Sequence, residues 1–203
     1  MTTVAVIPVR SLEGAKSRLG EVLDPEERRA LVERLLRRTL AAATGAASID
    51  EVIVVSPDPE VLAIASESGA IACAQRSQGL NGALDEARLA LSPDARLLAL
   101  PGDLATVTAA DLDALVALAD AEGGGTVVLV TDRHGRGTNA LLLAPAGIIP
   151  FAFGGDSREA HACLARAAGA RLIEPESDLA IDLDTPDDQR RAESNAPEVL
   201  GVR

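Results

Sequence analysis

Short runs rich in β-branched and aliphatic residues alternate with longer helical patterns along this 203-residue chain. The runs that predict strands cover residues 4–9, 52–55, 97–100 and 126–130. The patterns that predict helices cover residues 25–43, 59–68, 81–91, 109–121 and 158–168. Because parallel strands need crossover connections, this alternation predicts an α/β fold in which helices cover both faces of a mostly parallel sheet.

The clearest predicted helix begins at a capped turn. Asp24 is placed to act as its N-cap, and Pro25 occupies the first helical position, where proline is well tolerated. Leu31, Leu35 and Leu36 then fall on one apolar face. The helix is therefore predicted to be amphipathic.

The length of the chain suits one domain with its own core. Hydrophobic residues make up 47% of the chain but aromatic residues only 1%, so aliphatic side chains must fill that core. We predict a single domain over residues 1–193. The tail over residues 194–203, which contains Pro197, is expected to be loosely held.

Charge and cysteine content restrict the partners and the compartment. Lys and Arg number 19 against 31 Asp and Glu, and the net charge of -12 would repel nucleic acid and anionic membranes. Small anions can still bind where a few cations or amides are suitably placed. Cys73 and Cys163 are too few for a disulfide scaffold or a zinc cluster, and no segment is typical of a signal peptide or a membrane span. We expect a cytoplasmic protein with neither nucleic acid nor membrane as a partner.

Ligands of open α/β sheets bind beyond the carboxyl ends of the strands, so binding residues are expected in the segment after each predicted strand. The first such segment carries three cations, Arg10, Lys16 and Arg18, in an otherwise acidic protein. Their side chains could hold the oxygens of a triphosphate. A solvated basic loop explains the same residues equally well, and the order of residues is not that of a Walker A loop.

Three aspartates are candidate metal ligands. Asp103 follows the third predicted strand next to a glycine, although an aspartate at this position can also satisfy turn amides. Asp182 and Asp184 are two residues apart, so in an extended segment both point to one side and could chelate a hard cation such as Mg²⁺. Asp184 or Thr185 could also cap a helix, and Asp182 is the residue that capping explains least.

Two glycine-containing segments are candidate anion sites. Gly137 and Thr138 follow a turn, where a hydroxyl and backbone amides could bind an anion, but a simple hairpin turn is favoured for this segment alone. Gly154 precedes a predicted helix with Asp156 or Ser157 as N-cap, and the free amides of a helix start can bind phosphate. An ordinary capped helix is an equal alternative there.

His161, one turn further on, could bond an acid substrate or only satisfy the helix, and we favour the second role. Nucleophilic catalysis by a classical triad is poorly supported, because the sequence has no Gly-x-Ser-x-Gly elbow, neither cysteine lies in a catalytic motif, and His134 and His161 are its histidines. A phosphate nucleophile would remove that need, because it is already anionic near neutral pH. The protein would then only position two substrates and neutralise charge.

Taken together, these segments resemble the 2-phospho-L-lactate or phosphoenolpyruvate guanylyltransferase family of coenzyme F-420 biosynthesis. The resemblance covers nearly the whole chain and follows the family's order of motifs. It rests on Ala-Lys-Ser-Arg-Leu at 15–19, Leu-Asn with Ala83 at 80–83, Gly-Asp-Leu at 102–104, Gly-Thr-Asn-Ala-Leu at 137–141, Phe-Gly with Ser157 and His161 at 153–161, and Asp-Leu-Asp-Thr-Pro at 182–186.

The resemblance implies a three-layer, mostly parallel mixed sheet of the nucleotide-diphospho-sugar-transferase-like (Rossmann-like) kind. It implies transfer of GMP from GTP to the phosphate of a small phospho-acid, with release of pyrophosphate and with Mg²⁺, as two ions, as cofactor. A homodimer and hand-over of the product to the next enzyme of the pathway are compatible with it. The site residues that it implies fall into four groups: Lys16, Arg18 and Asp103 for catalysis, Arg10, Lys16, Arg18 and Asn81 for the nucleotide, Gly137, Thr138, Asn139, Gly154 and Ser157 for the phospho-acid, and Asp103, Asp182 and Asp184 for the metal.

Some alternatives stay open beside this interpretation. Asn81 could instead cap the helix that it opens. Ala105 stands where the family often has proline, and the family often has a lysine near Arg10, so loop shape and acceptor preference could differ here. A sugar-phosphate or molybdopterin nucleotidyltransferase is disfavoured because the molybdenum-type loop is missing from the sequence, and a non-catalytic nucleotide-binding module is disfavoured by the three aspartates.

The acceptor is open among phosphoenolpyruvate, 2-phospho-L-lactate and 3-phospho-D-glycerate. These acids differ by a few atoms around one carboxylate and one phosphate. The composition, rich in Ala, Arg and Leu, suggests a GC-rich bacterial genome and thereby favours phosphoenolpyruvate.

Overall fold

The computed structural model describes residues 1–13, 16, 19–20, 22–120, 125–177 and 179. Strands and helices alternate over most of this length. The strands are β1 (Thr3–Pro8), β2 (Glu51–Ser56), β3 (Ile71–Ala74), β4 (Arg96–Ala99), β5 (Thr126–Thr131), β6 (Thr138–Ala144) and β7 (Arg171–Ile173). The helices are α1 (Pro25–Gly45), α2 (Pro59–Glu67), α3 (Gly79–Leu89), α4 (Ala109–Asp120) and α5 (Ser157–Ala167).

The described strands form one mixed sheet in the order β3-β2-β1-β4-β6-β5-β7. β1 lies between β2 and β4 and is parallel to both, while β3 and β7 join as parallel strands at the two edges. β6 is antiparallel to β4 and to β5. The predicted α/β fold with a mostly parallel mixed sheet is therefore confirmed.

Both faces of the sheet are buried, as a three-layer fold requires. Ala5 and Ile7 of β1 belong to one apolar cluster, whereas Val4 and Val6 belong to another on the opposite face, because successive side chains of a strand alternate. The first cluster includes side chains of α1, α2 and α4, and the second includes side chains of α3 and α5. Helices thus cover the sheet on both sides.

The start of α1 agrees with the prediction in detail. Asp24 is the N-cap: its Oδ1 accepts a hydrogen bond from the Glu27 N–H at 2.9 Å, and Glu27 Oε2 accepts from the Asp24 N–H at 2.8 Å. This reciprocal pair is a capping box. The predicted apolar face is also confirmed, since Leu31, Leu35 and Leu36 are buried.

The other predicted helix starts and turns agree with the structure only in part. The N-cap of α3 is Gln78, so the alternative of Asn81 as a helix cap was wrong. Asp156 occupies the N-cap position of α5, but its carboxylate accepts hydrogen bonds from Arg136 instead of from the helix. Residues 132–137 connect β5 to the antiparallel β6, which confirms the hairpin interpretation of that segment. The tail at 194–203 falls entirely outside the described residues.

No helix within the described ranges is long and apolar enough to cross a membrane. Cys73 and Cys163 are both free thiols.

We expect Asp24→Ala to lower the free energy of unfolding by about 1 kcal/mol, because it removes the acceptor for one helix-start N–H and frees the Glu27 side chain. Asp24→Ser is the matched control, since its hydroxyl can still accept the same hydrogen bond. Urea unfolding of the three proteins measures the difference. Equal stability of wild type and Asp24→Ala would contradict a contribution from the capping box.

Candidate active site

A cavity of about 280 Å³ opens beyond the carboxyl ends of β1 and β4. Four of the predicted site residues line it together: Arg10, Lys16, Asp103 and Thr138. Gly102 and apolar side chains of α1, α3 and the 151–153 segment complete the wall, among them Val32, Leu80, Leu84 and Phe153. Residues from four distant parts of the sequence thus meet where open α/β sheets bind their ligands.

Lys16 and Asp103 form an ion pair through Nζ and Oδ2. The Lys16 side chain is 5% exposed and the Asp103 side chain 29%, so the pair lies at the boundary between protein and cavity. Lys16 also has a φ of +54°, a left-handed conformation that is unusual for a residue with a side chain. Such backbone conformations cluster at functional sites, where the surrounding structure enforces them.

The turn that carries Asp103 packs tightly against β1. A Cβ atom added to Gly102 would lie 2.8 Å from Val9 Cγ2, so the glycine allows the turn to approach the strand. Gly102 thus lies close to Val9, and both residues line the cavity.

Asp58 fixes the start of the basic loop, a role that the sequence analysis missed. Its Oδ2 accepts hydrogen bonds from Ser11 Oγ at 2.8 Å and from the Leu12 N–H at 3.2 Å, and its Oδ1 caps α2 through the Glu60 N–H at 2.9 Å. Burial alone would raise the pKa of Asp58, but these hydrogen bonds outweigh it and hold the pKa below its ordinary value. The Asp-Pro pair at 58–59 was a detectable capping signal, but its link to Ser11 was not.

Thr138 and His161 are joined by a hydrogen bond of 3.1 Å between Oγ1 and Nδ1. The other ring nitrogen, Nε2, accepts from the Ala152 N–H at 3.0 Å. His161 is fully buried, and burial lowers the pKa of its imidazole to about 4. Of the two roles predicted for His161, neither describes this contact, in which the ring supports a residue of the cavity wall.

Asn81 holds the segment that carries Phe153. Its Oδ1 accepts from the Phe153 N–H at 2.9 Å, and its Nδ2 donates to the Phe153 carbonyl at 3.1 Å. The Phe153 ring lines the cavity and meets His161 edge-on, with ring centroids 4.8 Å apart. Asn81 is therefore engaged with the backbone of the cavity wall, and its contact with a nucleotide stays a prediction.

The other residues predicted for the phospho-acid are Gly137 and Asn139, on either side of Thr138 in the chain, and Gly154 and Ser157, near the start of α5. Asn139 is buried and donates through Nδ2 to the Leu179 carbonyl at 3.1 Å. A Cβ added to Gly137 would lie 2.7 Å from Asp132 Oδ2, so this glycine accommodates a neighbouring carboxylate within the hairpin. Ser157 is buried as the first residue of α5, and Gly154 is exposed just before it. None of these four is among the residues that line the described part of the cavity.

A second cavity of about 620 Å³ adjoins the first and shares Arg10 and Leu80 with it. Its far wall is the segment between β3 and α3, which hydrogen bonds hold in shape. Gln75 Nε2 donates to the carbonyls of Ser77 and Gly79, both at 3.0 Å, and the Glu86 carboxylate accepts from the Ser77 N–H at 2.6 Å. This segment was not predicted from the sequence, because β3, which precedes it, was not among the predicted strands.

Arg18, Asp182 and Asp184 lie outside the described residues, so their predicted roles stay predictions. Within the part of the chain that the structure describes, no group of three or more His, Cys, Asp or Glu residues could hold a metal ion. Asp103 is the described member of the predicted metal-binding set. It is at the cavity wall, as that prediction requires.

Because burial lowers the pKa of His161, the free energy of unfolding should depend on pH. In the unfolded chain, the His161 imidazole takes up a proton as the pH falls below about 6.5, whereas in the folded protein it stays neutral until about pH 4. The neutral buried ring therefore contributes stability above about pH 6.5, and this contribution is lost as the pH falls toward about 4. His161→Gln removes this contribution, and we expect its unfolding penalty to be largest at about pH 7 and to shrink toward about pH 4.5.

Urea unfolding at several pH values measures this penalty. Asn81→Ala is the control, because it breaks hydrogen bonds to the same wall without removing a titrating group. A penalty for His161→Gln that stays constant with pH would contradict the neutral, buried imidazole.

Comparison with known proteins finds relatives over nearly the whole chain. The family model described as "Guanylyl transferase CofC like" matches residues 3–191. The phosphoenolpyruvate guanylyltransferase of Sphaerobacter thermophilus is 46% identical over 202 residues, covering 97% of this chain and 95% of that protein. The phosphoenolpyruvate guanylyltransferase of Rubrobacter xylanophilus is 46% identical over 199 residues, covering 96% and 95%.

Solved structures show the same fold at much lower identity. A protein from Desulfovibrio desulfuricans G20 described as a nucleotide-diphospho-sugar transferase superposes with a TM-score of 0.74 at 13% identity, covering 97% of this chain and 90% of that one. This likeness confirms the predicted fold type. With the family match and two relatives at 46% identity over nearly their whole length, the chain is a nucleotidyltransferase and belongs to the CofC-like guanylyltransferase family.

Proposed function

We propose that this protein transfers GMP from GTP to the phosphate of phosphoenolpyruvate, with release of pyrophosphate, as a step of coenzyme F-420 biosynthesis. The observation that carries the proposal is the meeting of Arg10, Lys16, Asp103 and Thr138 around one cavity. The relatives at 46% identity are named for phosphoenolpyruvate, which favours it over 2-phospho-L-lactate and 3-phospho-D-glycerate.

The two adjoining cavities suit two substrates. The smaller one is walled by Thr138 and by the Lys16–Asp103 pair, which fits an acid with one carboxylate and one phosphate. The larger one has the preorganised segment at 75–79 as its wall and suits the nucleoside of GTP. Arg10 borders both, so its guanidinium can reach phosphate oxygens where the two substrates meet.

In the proposed reaction an oxygen of the acceptor phosphate attacks the α-phosphorus of GTP. A new P–O bond forms there, the bond from the α-phosphorus to the bridging oxygen of the β-phosphate breaks, and pyrophosphate leaves with the electron pair. The attacking oxygen is already ionised, so the protein need not supply a general base. Lys16 and Arg10 would neutralise charge on the phosphates and align them, which is most of what phosphoryl-type transfer requires.

The donor set of the site fits Mg²⁺, which takes one or two protein carboxylates and leaves its other positions to water and phosphate. Asp103 supplies one such carboxylate at the cavity wall, and its pairing with Lys16 still leaves acceptor capacity on the two oxygens. Asp182 and Asp184 are proposed as the remaining ligands on the strength of the family resemblance. When bound, the metal ion would polarise the triphosphate and stabilise the negative charge of the leaving group.

The direct test is a coupled pyrophosphate assay with GTP, Mg²⁺ and each of the three acids in turn. We expect turnover with phosphoenolpyruvate to exceed that with the other two. Higher turnover with another acid would correct the acceptor. A folded protein that turns over none of them would overturn the proposal.

We expect Asp103→Asn to lower turnover about 100-fold or more while the protein stays folded, because it removes both a proposed metal ligand and the partner of Lys16. Asp120→Asn is the matched control. Asp120 forms an ion pair with Arg96 at the start of β4, whereas Asp103 follows the end of this strand. Turnover and thermal unfolding are measured for both variants. Near wild-type turnover of Asp103→Asn would contradict the role given to this carboxylate.

A further inference from the structure

His161 reaches the proposed active site only through its neighbours. It is fully buried and is not among the residues that line the cavity, whereas its partner Thr138 is. The Oγ1 of Thr138 lies 3.1 Å from Nδ1 of His161. His161 can therefore affect a ligand in the cavity through two residues of its wall, the Thr138 hydroxyl and the Phe153 ring, which meets the imidazole edge-on.

The direction of this hydrogen bond follows from the second contact of the ring. The backbone N–H of Ala152 can only donate, so Nε2 of His161, 3.0 Å away, must accept and carries no proton. A neutral imidazole then has its proton on Nδ1. Nδ1–H therefore donates to the Thr138 oxygen, which acts as the acceptor.

The surroundings of the ring favour this neutral form. His161 is fully buried on α5, and the Phe153 ring meets it edge-on at a centroid distance of 4.8 Å. Burial disfavours an imidazolium, and the lowered pKa agrees with a ring that stays neutral near pH 7. An imidazolium would also place a donor at Nε2, facing the N–H of Ala152.

We propose that His161 is a positioning residue that fixes the Thr138 hydroxyl as a hydrogen-bond donor to an anionic oxygen of the phospho-acid acceptor. This inference rests on the proposed function, which places the acid beside Thr138. A threonine hydroxyl ordinarily rotates and can present either its proton or a lone pair. Because one lone pair is held by Nδ1–H, the hydroxyl proton is directed elsewhere, and an ionised carboxylate or phosphate can only accept it.

Two substitutions at His161 separate positioning from simple packing. The amide of His161→Asn places a donor at about the position of Nδ1 and so can still hold Thr138, whereas the amide of His161→Gln reaches toward Nε2 and Ala152. We expect His161→Gln to raise the KM for phosphoenolpyruvate about tenfold, the loss of roughly one hydrogen bond to a charged group. His161→Asn should stay within about threefold of wild type, and the KM for GTP within about twofold in both variants.

A double-mutant cycle with Thr138→Val tests whether the effect passes through the hydroxyl. Thr138→Val should itself raise the KM for phosphoenolpyruvate, and adding His161→Gln should change it little further, because residues that act in series are not additive. Additive effects, or equal effects of Asn and Gln that follow the loss of thermal stability, would show a structural role and overturn the inference.

The tautomer is tested without turnover. In ¹⁵N-labelled protein near pH 7, the His161 ring should show a protonated Nδ1 and an unprotonated Nε2. A protonated Nε2, or an imidazolium, overturns the positioning inference and leaves the proposed function standing. Absence of turnover with every acid, in a folded protein with the expected tautomer, overturns the proposed function and with it the role of Thr138 toward the acid.

Discussion

The antiparallel pairing of β6 with β4 is the interaction on which the candidate site depends. Ala99 pairs with Leu141 and Leu97 with Leu143, so the start of β6 lies at the carboxyl end of β4. Thr138 therefore lies at the same end of the strands as the turn that carries Asp103. Had β6 been parallel to β4, Thr138 would lie at the opposite end of the strands. One reversed strand in a mostly parallel sheet thus places a hydroxyl opposite a carboxylate.

Polar side chains that are not part of the cavity lining then hold its walls in place. Asp58 ties the basic loop to the start of α2, Asn81 ties the 151–153 segment to α3, and His161 ties Thr138 to the same segment. Each joins parts of the chain that are far apart in sequence. Each also gives partners to half-buried backbone or hydroxyl groups that would otherwise be costly to remove from water. The cavity is preorganised by these contacts as much as by its apolar packing.

The regular elements with strong local patterns were predictable from the sequence. The predicted strands at 52–55 and 126–130 and the capped helix after Asp24 all formed, because a buried parallel strand or an amphipathic helix repeats its signal over several residues. β3, β6 and β7 were not among the predicted strands. β3 and β7 have four and three residues and little burial, and before β6 the sequence indicated only a hairpin turn. Their pairing depends on a neighbouring strand already in place.

The sequence showed which residue types could act in the site, but not which groups each of these residues contacts. Lys16, Asp103 and Thr138 were identified by their residue types and motifs, and the structure brings them to one cavity. The two asparagines were assigned to ligands, yet the structure shows Asn81 bound to the Phe153 backbone and Asn139 to the Leu179 carbonyl. An amide can bond a ligand or a distant backbone equally well, and only the folded chain decides which is near.

The sequence by itself determined the α/β class, the aliphatic core and the family, because periodicity, composition and ordered motifs are properties of the linear chain. Tertiary structure alone decided that Lys16 pairs with Asp103 and that the His161 ring is hydrogen-bonded to Thr138. These residues are 87 and 23 positions apart. The physical reason is that hydrogen bonds and ion pairs act over a few ångströms in space, whereas separation along the chain does not fix which groups come within that distance.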